Sequence, residues 1–371
     1  MGMNRTEEMQ DKENRLRQLM AASGLDGILL KKQANFSWLT AGGYNRVGLA
    51  TEAGVTSLLV TRKGRYIVAN RIEMRRMLVE EGLADLGFEP LEYEWFEDRE
   101  MEMVKKIVPD LSKVGSDVEW AELRPLDGAI KKLRYSLTEP EIERFRFLGE
   151  KASLAVEKVM VGIRPGDSEL EIAGRIGPEF WRHGIDLPGV LVAADERIYS
   201  YRHPIPTPKL LRRYLLVAIG ARYKGLVISL TRMLHFGRPT PALAKQFRDN
   251  LEIECRMIAA TQPGIALSAP LEAAQRAYAE FGSAQEWQLH HQGGGIGYNA
   301  RDFKVMPEMA GRVEKNQAFC WNPSITGTKT EDSFIATTAG PVMLTYPVVF
   351  PAVTVAVGEI RFTRPGLLVD D

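Results

Sequence analysis

LLVAIGARYKGLVISLTR, residues 215–232, is the stretch that decides the fold. Two apolar, partly β-branched runs lie on either side of a lysine–glycine pair at residues 224–225, a pattern typical of two strands joined by a tight turn. The sequence therefore predicts a buried β-hairpin, which places residues of the two strands side by side in a sheet.

A long helix is predicted upstream of the hairpin. In SLTEPEIERFRFL, residues 136–148, Thr138 is a good N-cap, Pro140 lies in the first turn and Glu141 follows the cap by three residues, which makes a capping box. A second helix is predicted after the RPGD turn at residues 164–167. The sequence becomes strongly helical from about residue 119, ahead of the helix that starts at Thr138, so we place a domain boundary near residue 130.

The first 130 residues predict a separate α/β domain. KENRLRQLMAASG, residues 12–24, has apolar residues at helical spacing and ends at Gly24, before the strand DGILLK. VTSLLVTRKGRYIVAN, residues 55–70, is typical of a hairpin that turns at Lys63 and Gly64. We therefore expect domains at 1–130 and 131–371, with a long helical interval at 241–281 inside the second.

Composition and charge exclude several functions. Lys+Arg and Asp+Glu both count 48, so a formal net charge of zero gives no global attraction to nucleic acid or to an anionic membrane. The two cysteines form no zinc-binding motif, and no apolar run is long enough to span a bilayer. We expect a cytoplasmic protein whose partners are small molecules or another protein chain.

A run of glycines, LHHQGGGIGYNARDF at residues 289–303, does not fit a phosphate-binding loop. Tyr298 occupies the last glycine position of GxGxxG, and no GK[ST] follows. Glycines within a strand instead indicate close approach of another backbone or of a ligand.

Taken in order, the helical stretch at 136–176 with its RPGD turn, the hairpin at 215–232, HHQGGGIGY at 290–298 and WNPSITGTKTEDSFIAT at 321–337 resemble the peptidase M24 group of creatinase, prolidase and aminopeptidase P. The resemblance covers residues 135–345, and the first 130 residues look like the N-terminal domain of that family. It implies a small creatinase-like α/β domain followed by a "pita-bread" domain with a curved, mostly antiparallel sheet, flanking helices, and a homodimer.

The family's peptidases bind two divalent metals through five side chains, and the resemblance locates these positions here. Two metals that hold a bridging hydroxide need hard oxygen ligands and an imidazole. Four of the five positions are replaced, and the last keeps its carboxylate; in chain order they are Ala218, Ser229, Gly294, Asn322 and Glu331. Since one carboxylate with an amide and a hydroxyl is too few donors, we expect no metal and no other cofactor.

Creatinase has the same fold without a metal and uses a histidine, which suggests His203 as the catalytic base here. It lies in DERIYSYRHPIPTPKLLRRYLLVAIG, residues 195–220, with a spacing two residues shorter. An imidazole is a sensible base because its ordinary pKa is near 6.5. The two supporting glutamates of creatinase fall on Thr231 and Asn322, so creatine itself is a doubtful substrate. The alternative is that His203 is an exposed loop histidine without a catalytic role.

Further pocket residues follow from the same motifs. His290 matches the histidine that contacts substrate in metal-dependent relatives, whereas we expect His291 on the opposite face of a strand because strand side chains alternate. Arg301 and Asp302 stand where relatives have His-Glu, and an arginine there suits a carboxylate. Ion pairs of Arg301 with Asp302 or Glu331 are the alternative to substrate binding.

The sequence thus assigns a role to each candidate site residue. The predicted catalytic residues are His203, His290 and Glu331. The predicted substrate-binding residues are Arg301, Asp302, His291, Tyr201, Asn322 and Thr231, and Tyr199 and Arg202 are expected at the rim of the pocket. We expect structural roles for His183 and His235.

Three functions remain open from the sequence. The first is a metal-independent hydrolase of a small amino-acid-like, amide or amidine C–N substrate. The second is an inactive peptidase fold that acts as a binding or scaffold protein, as some histone-chaperone domains with this fold do. The third is an Xaa-Pro aminopeptidase or dipeptidase, which requires metal.

Overall fold

The computed structural model describes residues 2–370, and within them the chain divides into two compact units. The first comprises the chain up to Ile142 together with Lys224–Leu226, and the second comprises Glu143–Tyr223 and the chain from Val227 onward. In the first unit the helices are α1 (Arg5–Ser23), α2 (Gln33–Leu39), α3 (Arg71–Val79), α4 (Glu100–Ile107) and α5 (Asp127–Leu133); the strands are β1 (Gly27–Lys32), β2 (Ala53–Thr61), β3 (Arg65–Asn70), β4 (Glu89–Tyr93), β5 (Val114–Ser116) and β6 (Arg124–Pro125).

The first unit has a mixed sheet in the order β4-β3-β2-β1-β5-β6. Helix α1 begins at a capping box of Asn4 and Glu7 and ends at Gly24, whose left-handed φ of 64° suits a residue without a Cβ. The predicted hairpin is confirmed as the antiparallel pair β2–β3. Leucines and valines of β1–β3 pack against α4 in one apolar core.

The second unit contains the longer helices and the remaining strands. Its helices are α6 (Glu139–Val161, which begins in the first unit), α7 (Glu169–Trp181), α8 (Arg197–Ser200), α9 (Pro241–Ala260) and α10 (Ala269–Glu280). Its strands are β7 (Asp186–Ala194), β8 (Tyr214–Tyr223), β9 (Leu226–Phe236), β10 (Gly293–Ile296), β11 (Gln317–Trp321), β12 (Ser324–Ile325), β13 (Thr328–Lys329), β14 (Asp332–Thr337), β15 (Gly340–Met343), β16 (Ala352–Val357), β17 (Ile360–Pro365) and β18 (Leu368–Asp370).

Two four-stranded sheets organise this unit, in the orders β18-β9-β8-β7 and β10-β11-β14-β15. The hairpin at 215–232 forms β8 and β9, and the turn residues Lys224 and Gly225 both have positive φ, as a type I′ turn requires. The predicted capping box is present, since the Thr138 backbone N–H donates to Glu141 Oε2 at 2.8 Å. These features confirm an α/β fold with a creatinase-like first part and a pita-bread second part.

The core of the second unit lies directly behind strands β11 and β14. The Phe319 ring stacks on Trp321 and on Phe334 with centroid distances of 5.5 and 6.0 Å, and all three side chains are fully buried. Burial of each ring contributes roughly 1.5–3 kcal/mol. This packing fixes β11, which carries Cys320 and is followed by Asn322, and β14, which directly follows Glu331.

The predicted helical interval at 241–281 is confirmed, and it consists of two helices. Helix α9 ends at Ala260 and α10 begins at Ala269, with Pro263 and the positive-φ Gly264 in the connection. Between residues 2 and 370, no helix is long and apolar enough to cross a membrane.

Candidate functional site

Strands β9 and β14 meet where the two sheets of the second unit adjoin. Thr231 and Glu331 form an isolated antiparallel bridge in which the Thr231 N–H donates to the Glu331 carbonyl at 2.9 Å. The Thr231 hydroxyl also donates to Glu331 Oε2 at 2.8 Å. The retained carboxylate is therefore held at the seam by both the backbone and the side chain of its neighbour.

Two cations of the chain neutralise Glu331. Arg301 Nη2 lies 3.0 Å from Oε1, and Lys329 Nζ lies 2.8 Å from Oε2. Burial by itself raises the pKa of Glu331, but the ammonium of Lys329 and the guanidinium of Arg301 outweigh it and lower that pKa to about 2. We call Thr231, Arg301, Lys329 and Glu331 the Glu331 cluster; both carboxylate oxygens in it are already engaged.

The other four predicted metal-ligand positions are all buried. Ala218 on β8 and Ser229 on β9 are 3% and 9% exposed, and Asn322 is 2% exposed. Asn322 Oδ1 has no hydrogen-bond partner among residues 2–370.

Gly294 is closed off by the chain that follows β10. The Asp302 N–H donates to the Gly295 carbonyl at 2.8 Å and the Val305 N–H donates to the Gly293 carbonyl at 2.9 Å, so residues 302–305 run along the glycine strand. A Cβ on Gly294 would lie 1.9 Å from the Phe303 carbonyl oxygen, which is backbone and cannot rotate away. An imidazole at this position has no room.

These residues do not fit a two-metal centre. Two positions offer no donor atom, the carboxylate that remains accepts from Thr231, Arg301 and Lys329, and the place of the histidine is filled by backbone. A bridged pair of hard cations needs several free carboxylate oxygens.

Three histidines converge close to the Glu331 cluster. His290 Nε2 and His203 Nε2 are 3.1 Å apart, and the His290 and His291 rings stack with centroids 4.4 Å apart. One possible ligand nitrogen from each ring lies within 4.8 Å of the others. We call His203, His290 and His291 the histidine cluster.

Side-chain contacts hold the segments that carry these histidines. Arg202 donates to Ser324 Oγ at 3.1 Å and pairs with Glu286 Oε2 at 2.7 Å, which ties the loop after α8 to β12. Gln292 Nε2 donates to the His290 carbonyl at 2.7 Å, and Gln292 Oε1 accepts from the Tyr278 hydroxyl at 2.9 Å. His203 is exposed at the edge of the cluster, whereas His290 is 8% exposed.

The surroundings lower the pKa of all three imidazoles, which favours their neutral forms at pH 7. Burial lowers the pKa of His290 to about 2, and the nearby ammonium of Lys329 adds to the effect. Burial and Arg301 lower the pKa of His291 to about 4, and burial followed by Lys329 lowers that of His203 below its usual 6.5. The charge of Lys329 therefore acts on both halves of the site.

The structure brings most of the predicted site residues into two adjoining groups. His203, His290 and His291 form one group, and Thr231, Arg301 and Glu331 belong to the other. Asp302 lies at the glycine strand and accepts from Asn299 Nδ2 at 3.0 Å. Tyr201 is 56% exposed, and its ring lies under the Arg197 guanidinium, 5.3 Å away, so it lies at the surface.

The expectation that His291 points away from His290 was wrong. Both residues precede β10, which begins at Gly293, so the alternation of strand side chains does not apply to them. His183 and His235 have the expected settings: His183 follows α7, and His235 in β9 lies 2.7 Å through Nδ1 from the Gly237 carbonyl. Of the two ion pairs considered for Arg301, the structure has the one with Glu331.

Sequence reasoning missed Lys329 and the Arg202–Glu286 pair. Lys329 lies two residues before Glu331 in an extended segment, and strand alternation would have placed both side chains on one face. Glu286 is 84 residues from Arg202, and no local pattern indicates that contact.

Comparison with known proteins gives two family matches. Residues 143–349 match metallopeptidase family M24, and residues 13–148 match the creatinase/prolidase N-terminal domain. An uncharacterized peptidase, YqhT, of Bacillus subtilis is 23% identical over 90% of this chain and 98% of its own length. An uncharacterized peptidase of Staphylococcus aureus, MW1651, is 25% identical, and its match covers 60% of this chain and 65% of that relative.

Two solved structures show the likeness of the fold. The Xaa-Pro dipeptidase from Bacillus anthracis has a TM-score of 0.77 at 20% identity and covers 97% of this chain and 99% of its own. The N-terminal domain of the FACT complex subunit SPT16 from chickpea has a TM-score of 0.69 at 14% identity, and the match covers 92% of this chain and 97% of that domain. The M24 match spans more than half of the chain and includes the hairpin, the glycine strand and Glu331, so this protein belongs to metallopeptidase family M24.

Proposed function

We propose that this chain is a metal-independent hydrolase of a small amino-acid-like, amide or amidine C–N substrate, with His203 as the general base. The contact between His203 and His290, with Nε2 atoms 3.1 Å apart, carries the proposal. It joins an exposed imidazole, which a substrate can reach, to a buried one that holds its orientation. Both rings are neutral at pH 7, as a base and its partner must be.

The arrangement supports one assignment of protons. Neutral His203 carries its proton on Nε2 and donates it to His290 Nε2, which leaves the His203 Nδ1 lone pair free for water. In the reaction that we propose, Nδ1 takes a proton from water as the C–O bond forms at the substrate carbon. The same proton passes to the leaving nitrogen as the C–N bond breaks, which returns His203 to its starting form.

The charge around the histidines supports a neutral or anionic substrate. Lys329, Arg301 and Lys304 all contribute positive potential at the cluster, and Glu331 opposes them. The two positions that carry glutamates in creatinase are the neutral Thr231 and Asn322. A substrate carboxylate complements this potential better than a guanidinium does. Arg301, Asp302, His291, Tyr201, Asn322 and Thr231 remain predicted substrate contacts.

Turnover by metal-stripped protein tests the proposal. We expect hydrolysis in the presence of a chelator when creatine-like, ectoine-like and N-acylated small molecules are screened. His203→Ala removes the base, so kcat falls by about 10²–10⁴-fold. His183→Ala is the matched control, because that imidazole is exposed beside Phe147 and should leave turnover unchanged. Unchanged turnover in His203→Ala would sink the assignment.

A binding or scaffold protein is the second candidate, and two observations favour it. Both oxygens of Glu331 are engaged, and the backbone at Phe303 fills the place of the family's histidine. The likeness to the SPT16 domain concerns the fold alone. This candidate predicts that the parent hydrolyses none of the screened small C–N substrates, so that substitution of both His203 and His290 changes no turnover.

The Xaa-Pro peptidase alternative requires a metal centre that these residues do not form. The relatives named as peptidases make that activity a fair third hypothesis, which dipeptide hydrolysis with and without added metal would test. A homodimer in the cytoplasm, acting without nucleic acid or membrane, also remains a prediction. Sedimentation would distinguish the 41.5 kDa chain from a dimer of twice that mass.

A further inference from the structure

The histidine cluster has an unused coordinating capacity. Each ring offers a nitrogen within 4.8 Å of those of the other two. His290 is only 8% exposed, and His291 Nδ1 lacks a hydrogen-bond partner among the residues that the structure describes. Buried imidazole nitrogens without partners are unusual, because an unsatisfied buried polar group costs about 1–3 kcal/mol.

We propose that His203, His290 and His291 form a binding site for one transition-metal ion, such as Zn²⁺. This site shares no residue with the five positions that hold two metals in the resemblance to metal-dependent relatives. It does not rest on the proposed hydrolase activity, since three imidazoles bind such an ion whether or not they also do chemistry. Three histidines are a sufficient protein ligand set for zinc, with water in the fourth position.

The distances require a small movement of exposed atoms. Zn–N bonds of about 2.0–2.1 Å in tetrahedral geometry place ligand nitrogens about 3.3–3.4 Å apart. The Nε2 atoms of His203 and His290 are already 3.1 Å apart. The other separations between ligand nitrogens do not exceed 4.8 Å, so small rotations of the rings bring the three nitrogens together. The Arg202–Glu286 pair holds the segment that carries the exposed His203.

The surrounding charges determine which ions bind. Arg301 and Lys329 are ion-paired with Glu331, and Lys304 is exposed, so the cluster lies in a moderately positive environment. Mg²⁺, Mn²⁺ and Ca²⁺ prefer carboxylate oxygens, so we expect them to bind weakly to this cluster of imidazole nitrogens. Imidazole suits Zn²⁺, Cu²⁺ and Ni²⁺, whose bonds to nitrogen outweigh that repulsion.

Metal binding and the proposed catalysis are mutually exclusive. When the His203 and His290 Nε2 lone pairs both point at an ion, the proton between them moves to Nδ1 of His203, and the base is lost. Zn²⁺ should therefore inhibit a hydrolase that uses His203. Binding itself can be measured without any substrate.

Equilibrium dialysis of metal-stripped full-length protein against Zn²⁺, followed by metal analysis, tests the site. We expect one equivalent per chain. His203→Ala and His290→Ala should each weaken binding at least about 10- to 100-fold, the range seen when a ligand merely loses its hydrogen-bond partner. His183→Ala and His235→Ala remove the two histidines outside the cluster and should bind as the parent does.

Two further measurements make the result decisive. Because His203 is exposed, its alanine variant should keep the parent melting temperature, and lost binding then reports a lost ligand. Co²⁺ in the parent should give the visible absorption of a four-coordinate nitrogen site, absent in His203→Ala. Binding that is no tighter than in His203→Ala, or that Mg²⁺ displaces as readily as Ni²⁺ does, would overturn the proposal. Turnover of the metal-free protein is measured separately, so failure of one proposal does not imply failure of the other.

Discussion

At the scale of single residues, Glu331 is a buried carboxylate whose charge is balanced by two cations of the chain. A buried carboxylate needs compensation, and here it accepts from Arg301 and Lys329. Its lowered pKa follows from those two charges. The ion pairs of Glu331 with Arg301 and Lys329 therefore contribute to the stability of the second unit.

Glu331→Gln should be strongly destabilising. The substitution leaves two buried or partly buried cations without their common anion, and breaking a buried pair in this way costs about 3–5 kcal/mol. Urea denaturation measures it. Glu143→Gln is the control, because Glu143 pairs with Arg146 at the surface and is 65% exposed, where a pair is worth about 0–1 kcal/mol. Equal losses in the two variants would contradict the role assigned to Lys329 and Arg301.

His290 should make the protein sensitive to mild acid. Its pKa is lowered in the folded state to about 2, so the unfolded chain binds its proton first, and stability falls as pH drops below 6.5. At pH 5 the loss from this residue is about 2 kcal/mol, at 1.36 kcal/mol per pKa unit. Urea denaturation in the presence of a chelator at pH 7 and pH 5 measures this loss. Between these two pH values, the unfolding free energy of His290→Gln should fall less than that of the parent. The unfolding free energy of His183→Gln should fall as much as that of the parent.

At the scale of elements, local patterns predicted what local physics controls. The capping box at Thr138 and Glu141 and the hairpin turn at Lys224 and Gly225 depend on neighbouring residues, and both are present as predicted. The stacking of His291 on His290 was not predicted, because alternation was assumed where no strand exists. Closure of the glycine strand by residues 302–305 depends on tertiary packing that no local pattern encodes.

Gly294→Ala tests that closure. The new Cβ would meet the Phe303 carbonyl oxygen at 1.9 Å, so β10 and residues 302–305 must separate, at about 1–3 kcal/mol or more. Thermal unfolding should show a clear loss. Gly174→Ala in α7 is the matched control: nothing lies within 4 Å of the position that its new methyl group would take, and replacing a helical glycine by alanine stabilises by about 0.5–1 kcal/mol. A tolerated Gly294→Ala would show that the strand is open to a larger side chain.

At the scale of the whole molecule, the fold of the second unit does not depend on the replaced ligands. Its apolar core lies behind β11 and β14, and a buried ion network joins the sheets. Arg232 pairs with Glu157 at 2.7 Å and Asp332 at 3.0 Å, and Arg364 pairs with Asp332 at 2.9 Å and Glu254 at 2.7 Å. Four of five ligand positions can therefore change while the M24 architecture persists.

Family membership alone does not decide the reaction. Hydrolysis of Xaa-Pro dipeptides with and without Mn²⁺ distinguishes a metal-dependent peptidase from the proposed metal-independent hydrolase. The Bacillus anthracis Xaa-Pro dipeptidase is the positive control. We expect no Mn²⁺-dependent turnover by this chain, since Glu331 is occupied by Arg301 and Lys329 and Gly294 offers no ligand. Dipeptide hydrolysis that rises with Mn²⁺ and disappears with a chelator would show that a competent metal centre assembles from other residues, and the metal-independent assignment would then be wrong.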